Sequence, residues 1–472
     1  MWNSLEKPDW ELLKKSQPFF QVINIGASHE SSAFGDVYNT EHNPAKTILR
    51  SYHPDVPGMR ENYAHYYDAI KKMDREVGMH INKVKEMGLA DNTIIIYTSD
   101  HGGVLPRSKR FLFKNSIHCP LIMHIPNQFK RLWPANHVGS KIDRLVSFVD
   151  MPKTWLSITN SQIPAHFQGT IFLGDNIEPE QSHHFSFRGR ADERIENARA
   201  ISNKRFLYIR NYMPYVPWMQ RIEYLWRMTA TQVWEDAVKN NNTTKIQSQY
   251  FNPKVRTEEL YDIENDPDCV NNLAGLSTHK NELHDLRKAL REKQIKFYDA
   301  GLIPEKEMNK YAAENNLTIY ELVRKPELYD VVPILDAANI ALEKAPKNLP
   351  KLIEFSSSKN IAIRYWGMVG CFLLNDTHTA EQLLEDKAHS IRQLAAWTLI
   401  KSGNKERGIE VLKKMIEQNS YDIISLFNVV LWLGEDGKEL IPSVNNVNLT
   451  SKNTPEKKYL ERLREYINLL HG

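Results

Sequence analysis

The run Ile94-Ile95-Ile96-Tyr97-Thr98-Ser99 ends abruptly in Asp100-His101-Gly102-Gly103. A β-branched and aromatic run of strand length is buried on both sides only inside a sheet, so this segment commits the chain to a fold containing one. A change from apolar residues to a carboxylate, an imidazole and glycines is how a buried parallel strand delivers polar groups to the mouth of a sheet. Asp100 and His101 are therefore candidate ligands for a divalent cation, with Gly102 and Gly103 allowing close backbone approach. On its own, Asp-His-Gly reads equally well as an ordinary strand-to-turn transition.

The flanking pattern extends the α/β reading. Pro18-Phe19-Phe20-Gln21-Val22-Ile23-Asn24-Ile25 predicts a buried strand that runs into the polar loop at His29. Apolar residues at Tyr63, Tyr66, Ile70, Met73, Val77, Ile81, Val84 and Met87 step by three or four, which predicts a long amphipathic helix over 60–88. Pro120–Pro126 reads as another short strand, and a helix is expected over 151–160. Strand, helix, strand, strand, helix is the order of an α/β sheet with crossover connections. Residues 166–305 change to short alternating strands and a helix near 282–298, a smaller α+β subdomain. Beyond 306 only helical periodicity remains. Ala362-Ile363-Arg364-Tyr365-Trp366 recurs 28 residues on as Ser390-Ile391-Arg392-Gln393-Leu394, with a degenerate third copy near Ile423, which points to a short HEAT-like helical solenoid. Three regions are thus expected: 1–165, 166–305 and 306–472.

Composition removes several function classes. The net charge of +3 over 472 residues is too small and too dispersed for a nucleic-acid binder, and no finger or helix-turn-helix spacing is present. Cys119, Cys269 and Cys371 stand far apart, without a CxxC metal motif or a disulfide framework. No apolar run is long enough for a membrane span, and Met1–Pro8 has neither the basic nor the apolar region of an export signal.

Two further groups bear on chemistry. In Pro106-Arg107-Ser108-Lys109-Arg110, Lys109 and Arg107 are candidates to clamp the oxygens of a tetrahedral anion, the alternative being a solvated basic loop. His29 ends the first expected strand. It falls on the same sheet edge as Asp100 if the two strands run parallel, where an imidazole can protonate a leaving oxygen.

These residues, with Tyr66-Tyr67-Asp68, Met73-Asp74-Arg75-Glu76-Val77-Gly78, Gly88–Thr93, Val149-Asp150 and Glu259-Leu260-Tyr261-Asp262-Ile263-Glu264-Asn265-Asp266-Pro267, make the chain resemble the sulfatases of the alkaline-phosphatase-like superfamily over residues 17–300. Gly103–Lys109 looks most like the heparan N-sulfatase-like subgroup. The resemblance implies an α/β alkaline-phosphatase-like sandwich and hydrolysis of sulfate esters or sulfamates, with sulfated glycans as substrates. By resemblance, Asp100 and His101 would be calcium ligands, Lys109 would contact the sulfate and His29 would lie near the leaving group. Arg188 and Arg190 would approach the substrate entrance.

One departure governs what is expected of this chain. Sulfatases make a formylglycine nucleophile from a Cys/Ser-x-Pro/Ala-x-Arg motif that follows two further aspartate ligands, and no such motif occurs in the sequence. The sandwich is therefore expected to be incomplete and N-terminally truncated, calcium weakly held or absent, and the chain inactive by itself. A missing N-terminal fragment would be its partner, and a periplasmic or secreted parent its origin. Two alternatives stand beside this one: a non-catalytic glycan- or protein-binding remnant, and a phosphodiesterase of the same superfamily.

Overall fold

In a computed structural model, residues 8–419, 421–450 and 454–471 are described. Met1–Lys7, part of the stretch read for an export signal, lies outside them. The expected long helix is present as α1 (Met59–Glu86), its start set by Glu61, whose carboxylate accepts the Gly58 amide at 2.8 Å. Its N-terminal half is the buried half. Asn62, fully buried, donates to Ala33 O at 2.9 Å and accepts from the Ala230 amide at 2.8 Å, tying α1 to both neighbours.

The sheet differs from the one expected. Among the described residues β1 (Ile95–Thr98) pairs only with β2 (Leu121–His124), antiparallel, in the register Ile95↔His124 to Thr98↔Leu121. Residues 18–25 are extended but join no ladder among the described residues, and Phe20 and Val22 are exposed. The local pattern is that of a strand, but a strand exists only against a hydrogen-bonding neighbour, and although Phe19 packs beside Ile95, none of the described residues pairs with this segment. The parallel crossover sheet is accordingly replaced by a two-stranded antiparallel ladder whose edges are both unpaired among the described residues. The expected helix after residue 150 is α2 (Asp150–Ile158).

A second sheet, of order β3-β4-β5-β6, is antiparallel throughout: β3 (His184–Arg188), β4 (Ala198–Ser202), β5 (Phe206–Asn211) and β6 (Glu258–Asp262). Every residue of β4 and β5 is buried because both faces are covered. On one face α3 (Lys280–Lys296) sets Leu283, Leu286 and Leu290 against Ile201, Phe206 and Tyr208. On the other, Ala198, Ala200, Leu207 and Ile209 pack with Phe111, Phe113 and Trp218. The loop that carries Lys109 therefore rests on this second sheet.

The rest of the described chain is helical and shares one core. Its main members are α4 (Glu305–Glu314), α5 (Val331–Leu342), α6 (Ile361–Leu374), α7 (His389–Lys401) and α8 (Ile423–Trp432). The two sequence copies fall at the same place, the first turns of α6 and α7. Gly367 brings α6 against the preceding helix (Leu349–Ser356) so closely that a Cβ there would lie 2.4 Å from Ser356 N. Tyr215 packs edge-on to Phe372, Trp397 and Trp432, and the Asn428 amide donates to Glu193 O at 2.9 Å, so the helices are fastened to the sheet region. Among the described residues no helix is long and apolar enough to cross a membrane.

Candidate functional site

After β1 the chain turns sharply onto residues 115–116. Gly102 and Gly103 donate to Ser116 O (2.8 Å) and Asn115 O (2.9 Å), and a Cβ at Gly102 would lie 2.1 Å from Asn115 O, so only glycine fits. The Lys109 amide then donates to Gly103 O at 3.0 Å, which fixes the basic turn beside the Asp100–Gly103 turn. Arg107 and Arg110 both take left-handed φ values, 63° and 78°, a strain of about 1 kcal/mol or more each.

That backbone sends neighbouring side chains opposite ways. Arg107, the expected anion clamp, is fully buried. Its nitrogens donate to Asp268 O (2.8 Å) and Cys269 O (2.7 Å), and its guanidinium lies 3.6 Å from the Phe113 ring centroid and 4.2 Å from that of Tyr52. It is a core residue, because planar donors satisfy carbonyls and stack on rings together. Lys109 and Arg110 face the other way, towards Glu30. Arg110 grips that carboxylate through two nitrogens, at 2.7 and 2.9 Å, and the Lys109 ammonium lies 3.6 Å from it. Glu30 is 0 % exposed.

Glu30 follows His29, so this carboxylate brings Lys109 and His29 into one place. His29 Nδ1 accepts from the Ser31 amide at 3.3 Å and contacts Ser31 Oγ at 2.9 Å. Those contacts engage Nδ1, and among the described residues Nε2 has no hydrogen-bond partner. Tyr66 donates to Ser28 O at 2.8 Å and spans the gap between the two loops. Burial, then the charges of Asp100 and Glu30 together with Tyr97, push its phenol up to about 12. The Tyr224 ring stands edge-on to His29 at 6.4 Å, and Asp192 comes within 3.7 Å of Arg110.

The expected metal ligands sit at the rim. The Asp100 side chain is 88 % exposed, and the His101 ring is 3.7 Å from it while its Nδ1 contacts Gly102 O at 2.9 Å. Among the described residues no group of three or more His, Cys, Asp or Glu side chains is placed to hold a metal ion. One carboxylate and one imidazole fall short of the six or more oxygens calcium takes, so these residues by themselves do not fit that ion.

Arg188 and Arg190 do not join the cluster. Arg188 is buried, its guanidinium 4.5 Å from the Phe111 centroid, and burial lowers its pKa from the usual arginine value. Arg190 turns outward into an ion pair with Glu305 at 2.7 Å. The structure thus groups His29 and Lys109 near Asp100 and His101, and separates Arg107, Arg188 and Arg190 from them. Glu30, Arg110, Asp192 and Tyr224 went unnoticed in the sequence. Glu30 had a signal, an acid next to a candidate histidine, and Arg110 had its place beside Lys109; Asp192 and Tyr224 had none. A separate cavity of about 1110 Å³ runs along β2, lined by Ile122, Met123, Val138, Ile142 and Phe148.

Two family models match, one described as sulfatase over residues 8–161 and one as N-sulphoglucosamine sulphohydrolase, C-terminal, over residues 106–247. An ulvan-active sulfatase of Formosa agariphila is 30% identical over 306 residues, covering 64% of this chain and 50% of the relative. An N-acetylglucosamine-6-O-sulfatase of Bacteroides thetaiotaomicron is 24% identical, covering 50% of this chain and 36% of the relative. A solved structure in complex with its substrate D-glucosamine-2-N,6-O-disulfate aligns at 21% identity and a TM-score of 0.35, covering 50% of this chain and 40% of that one. The chain spans about half the length of the first of these relatives and about a third of the second.

Proposed function

This chain belongs to the sulfatase family, and from that premise we propose that it supplies the sulfate-binding and leaving-group side of a hydrolase acting on sulfate esters or sulfamates of glycans. The observation that carries the reading is the buried Glu30, which draws Lys109 and Arg110 to the turn that carries His29. In this reading the Lys109 ammonium, drawn to Glu30 but free to donate further protons, binds the sulfate oxygens and offsets charge that grows on them. His29, its Nδ1 accepting from the Ser31 amide, carries its ring proton on Nε2 and from there donates a hydrogen bond to the departing oxygen or nitrogen, offsetting the charge that grows on it. Asp100 and His101 would hold a calcium ion only together with ligands beyond these two.

The covalent step needs a nucleophile, and the 472 residues contain no Cys/Ser-x-Pro/Ala-x-Arg motif from which formylglycine is made. Turnover is therefore assigned to an assembly in which another segment brings that motif. The edges of β1 and β2, unpaired among the described residues, and the cavity beside β2 favour strand addition there. In keeping with the family, the sandwich would be of the alkaline-phosphatase-like kind, the parent exported, and the helical region 306–472 a HEAT-like extension.

The test is sulfate release from D-glucosamine-2-N,6-O-disulfate by the chain alone and after co-folding with a fragment that carries the motif. Release only in the second case, abolished by Lys109→Ala, is the expected result. Release by the chain alone that survives Lys109→Ala sinks the reading. The absent motif also favours a second reading, a glycan-binding remnant without turnover, for which sulfated sugar binds and no fragment restores release.

A further inference from the structure

On the face of the second sheet that carries α3, four aromatic side chains lie open to solvent: Phe187 (69 % exposed), Tyr320 (63 %), Tyr298 (40 %) and Phe297 (37 %). They form one band. Phe185 joins Phe187 (centroids 6.4 Å apart) to Phe297 (5.6 Å), and Tyr298 continues from Phe297 to Arg324. The Arg324 guanidinium is held between two phenols, 3.4 Å from the Tyr320 centroid and 4.9 Å from that of Tyr298. Lys293 lies 5.7 Å from the Phe297 centroid.

Two features set this band apart from scattered surface aromatics. First, Tyr298 occupies the left-handed position just past the C-terminus of α3, at φ 53°, where glycine is the low-cost residue. A bulky ring kept at that position is there at the expense of backbone ease, as at sites where the side chain has work to do. Second, the cations are not ion-paired, Asp150 acting on Lys293 only from beyond contact. Among the described residues Lys293, Lys296 and Arg324 form no ion pair. Lys293 donates to Gln181, burial and the neighbouring Lys296 lower its pKa, and the nearby Glu321 carboxylate is taken by Thr318.

We propose that this band is a second binding surface, for a sulfated glycan chain, on the side of the sheet away from His29 and Lys109. Flat rings in a row suit the C–H faces of successive pyranoses, and fixed unpaired cations beside them suit sulfate groups. The separation follows from strand alternation: Phe185 and Phe187 point to the α3 face, whereas the Lys109 loop rests on the opposite face through Phe111 and Phe113. The choice of a sulfated polymer as ligand rests on the proposed function; the place does not.

The experiment is calorimetric titration of the full chain with a heparin-derived octasaccharide and with its desulfated counterpart. The wild type is expected to bind the sulfated form at least tenfold more tightly than the desulfated one. Tyr298→Gly, which relieves the left-handed ring, is expected to weaken binding about fivefold or more while leaving the melting temperature level or raised. Phe187→Ala with Tyr320→Ala is expected to remove most of the remainder, and Lys109→Ala to retain it. Binding unchanged by the aromatic variants but lost with Lys109→Ala places the glycan at the first site, which overturns the inference and leaves the proposed function standing. A wild type that ignores the octasaccharide, or binds both forms alike, overturns it too and turns attention to a protein partner for this face.

Discussion

Arg110 and Glu30 form a two-pronged ion pair, Nη1 to Oε1 at 2.7 Å and Nη2 to Oε2 at 2.9 Å, in which the carboxylate is wholly buried and the arginine side chain only 12 % exposed. Breaking such a pair leaves a charge stranded out of water, which costs far more than the pair itself contributes. Glu30→Gln is expected to destabilise the chain by about 3–5 kcal/mol, read as a lower urea midpoint. A loss under about 1 kcal/mol would mean that Arg110 finds water or another acceptor.

Arg107→Lys keeps the charge and loses the geometry. A lysine cannot serve the carbonyls of Asp268 and Cys269 together while lying flat on Phe113 and Tyr52. A loss of about 2–4 kcal/mol in unfolding free energy is expected, with sulfate affinity of the folded fraction unchanged. A selective loss of sulfate affinity at full stability would return Arg107 to the anion clamp.

Gly102→Ala forces a methyl group against the Asn115 carbonyl, whereas the same change at Gly26 meets nothing within 4 Å. The first is expected to lower stability by about 1–3 kcal/mol and the second to leave it within about 0.5 kcal/mol, by parallel thermal melts. Equal melting temperatures would show that the 115–116 turn yields.

Stability should also carry two opposed pH dependences. Asp422 is buried at the start of α8, and burial followed by the Glu307 carboxylate pushes its pKa up from 3.8 to about 7. The folded state then binds the extra proton, so this term erodes stability as pH rises from about 4 to 7 and is fully felt above that. His53, buried against Arg107, is held down at about 3, so its term adds stability over the same rise, from about 3 to its unfolded value of 6.5. The two largely mask each other in the wild type. The difference in unfolding free energy between Asp422→Asn and wild type should grow from near zero at pH 4 to a plateau of about 4 kcal/mol above pH 7. A flat difference across that range refutes the assignment.

Which parts of this were legible in sequence follows from what each depends on. The long helix at 59–86 declares itself through spacing, since its partners all lie on one side of one periodic surface. β1 could be read as a strand, but neither the direction nor the number of its neighbours is encoded within it, and the parallel sheet expected around it became an antiparallel pair. The segment at 18–25 has the same local character and forms no ladder, because pairing belongs to two segments. Lys109 and Arg107 look equivalent as basic residues two apart. The left-handed turns at Arg107 and Arg110 decide which of the three cations goes inward, and nothing in the residue types marks them.

The β1–β2 ladder has one further consequence. Two four-residue strands are a marginal unit in water, and this one owes its persistence to the Gly102–Ser116 and Gly103–Asn115 hydrogen bonds and to the packing beneath it. Its opening need not wait for the buried strands β4 and β5 to unfold. Hydrogen exchange is therefore expected to be faster at the turn bearing Asp100 and His101 than at the Arg110–Glu30 clamp beside Lys109. On that expectation the two halves of the charged cluster run on different clocks, and whatever adds a strand to β1 or β2 would bring them closer to the same one.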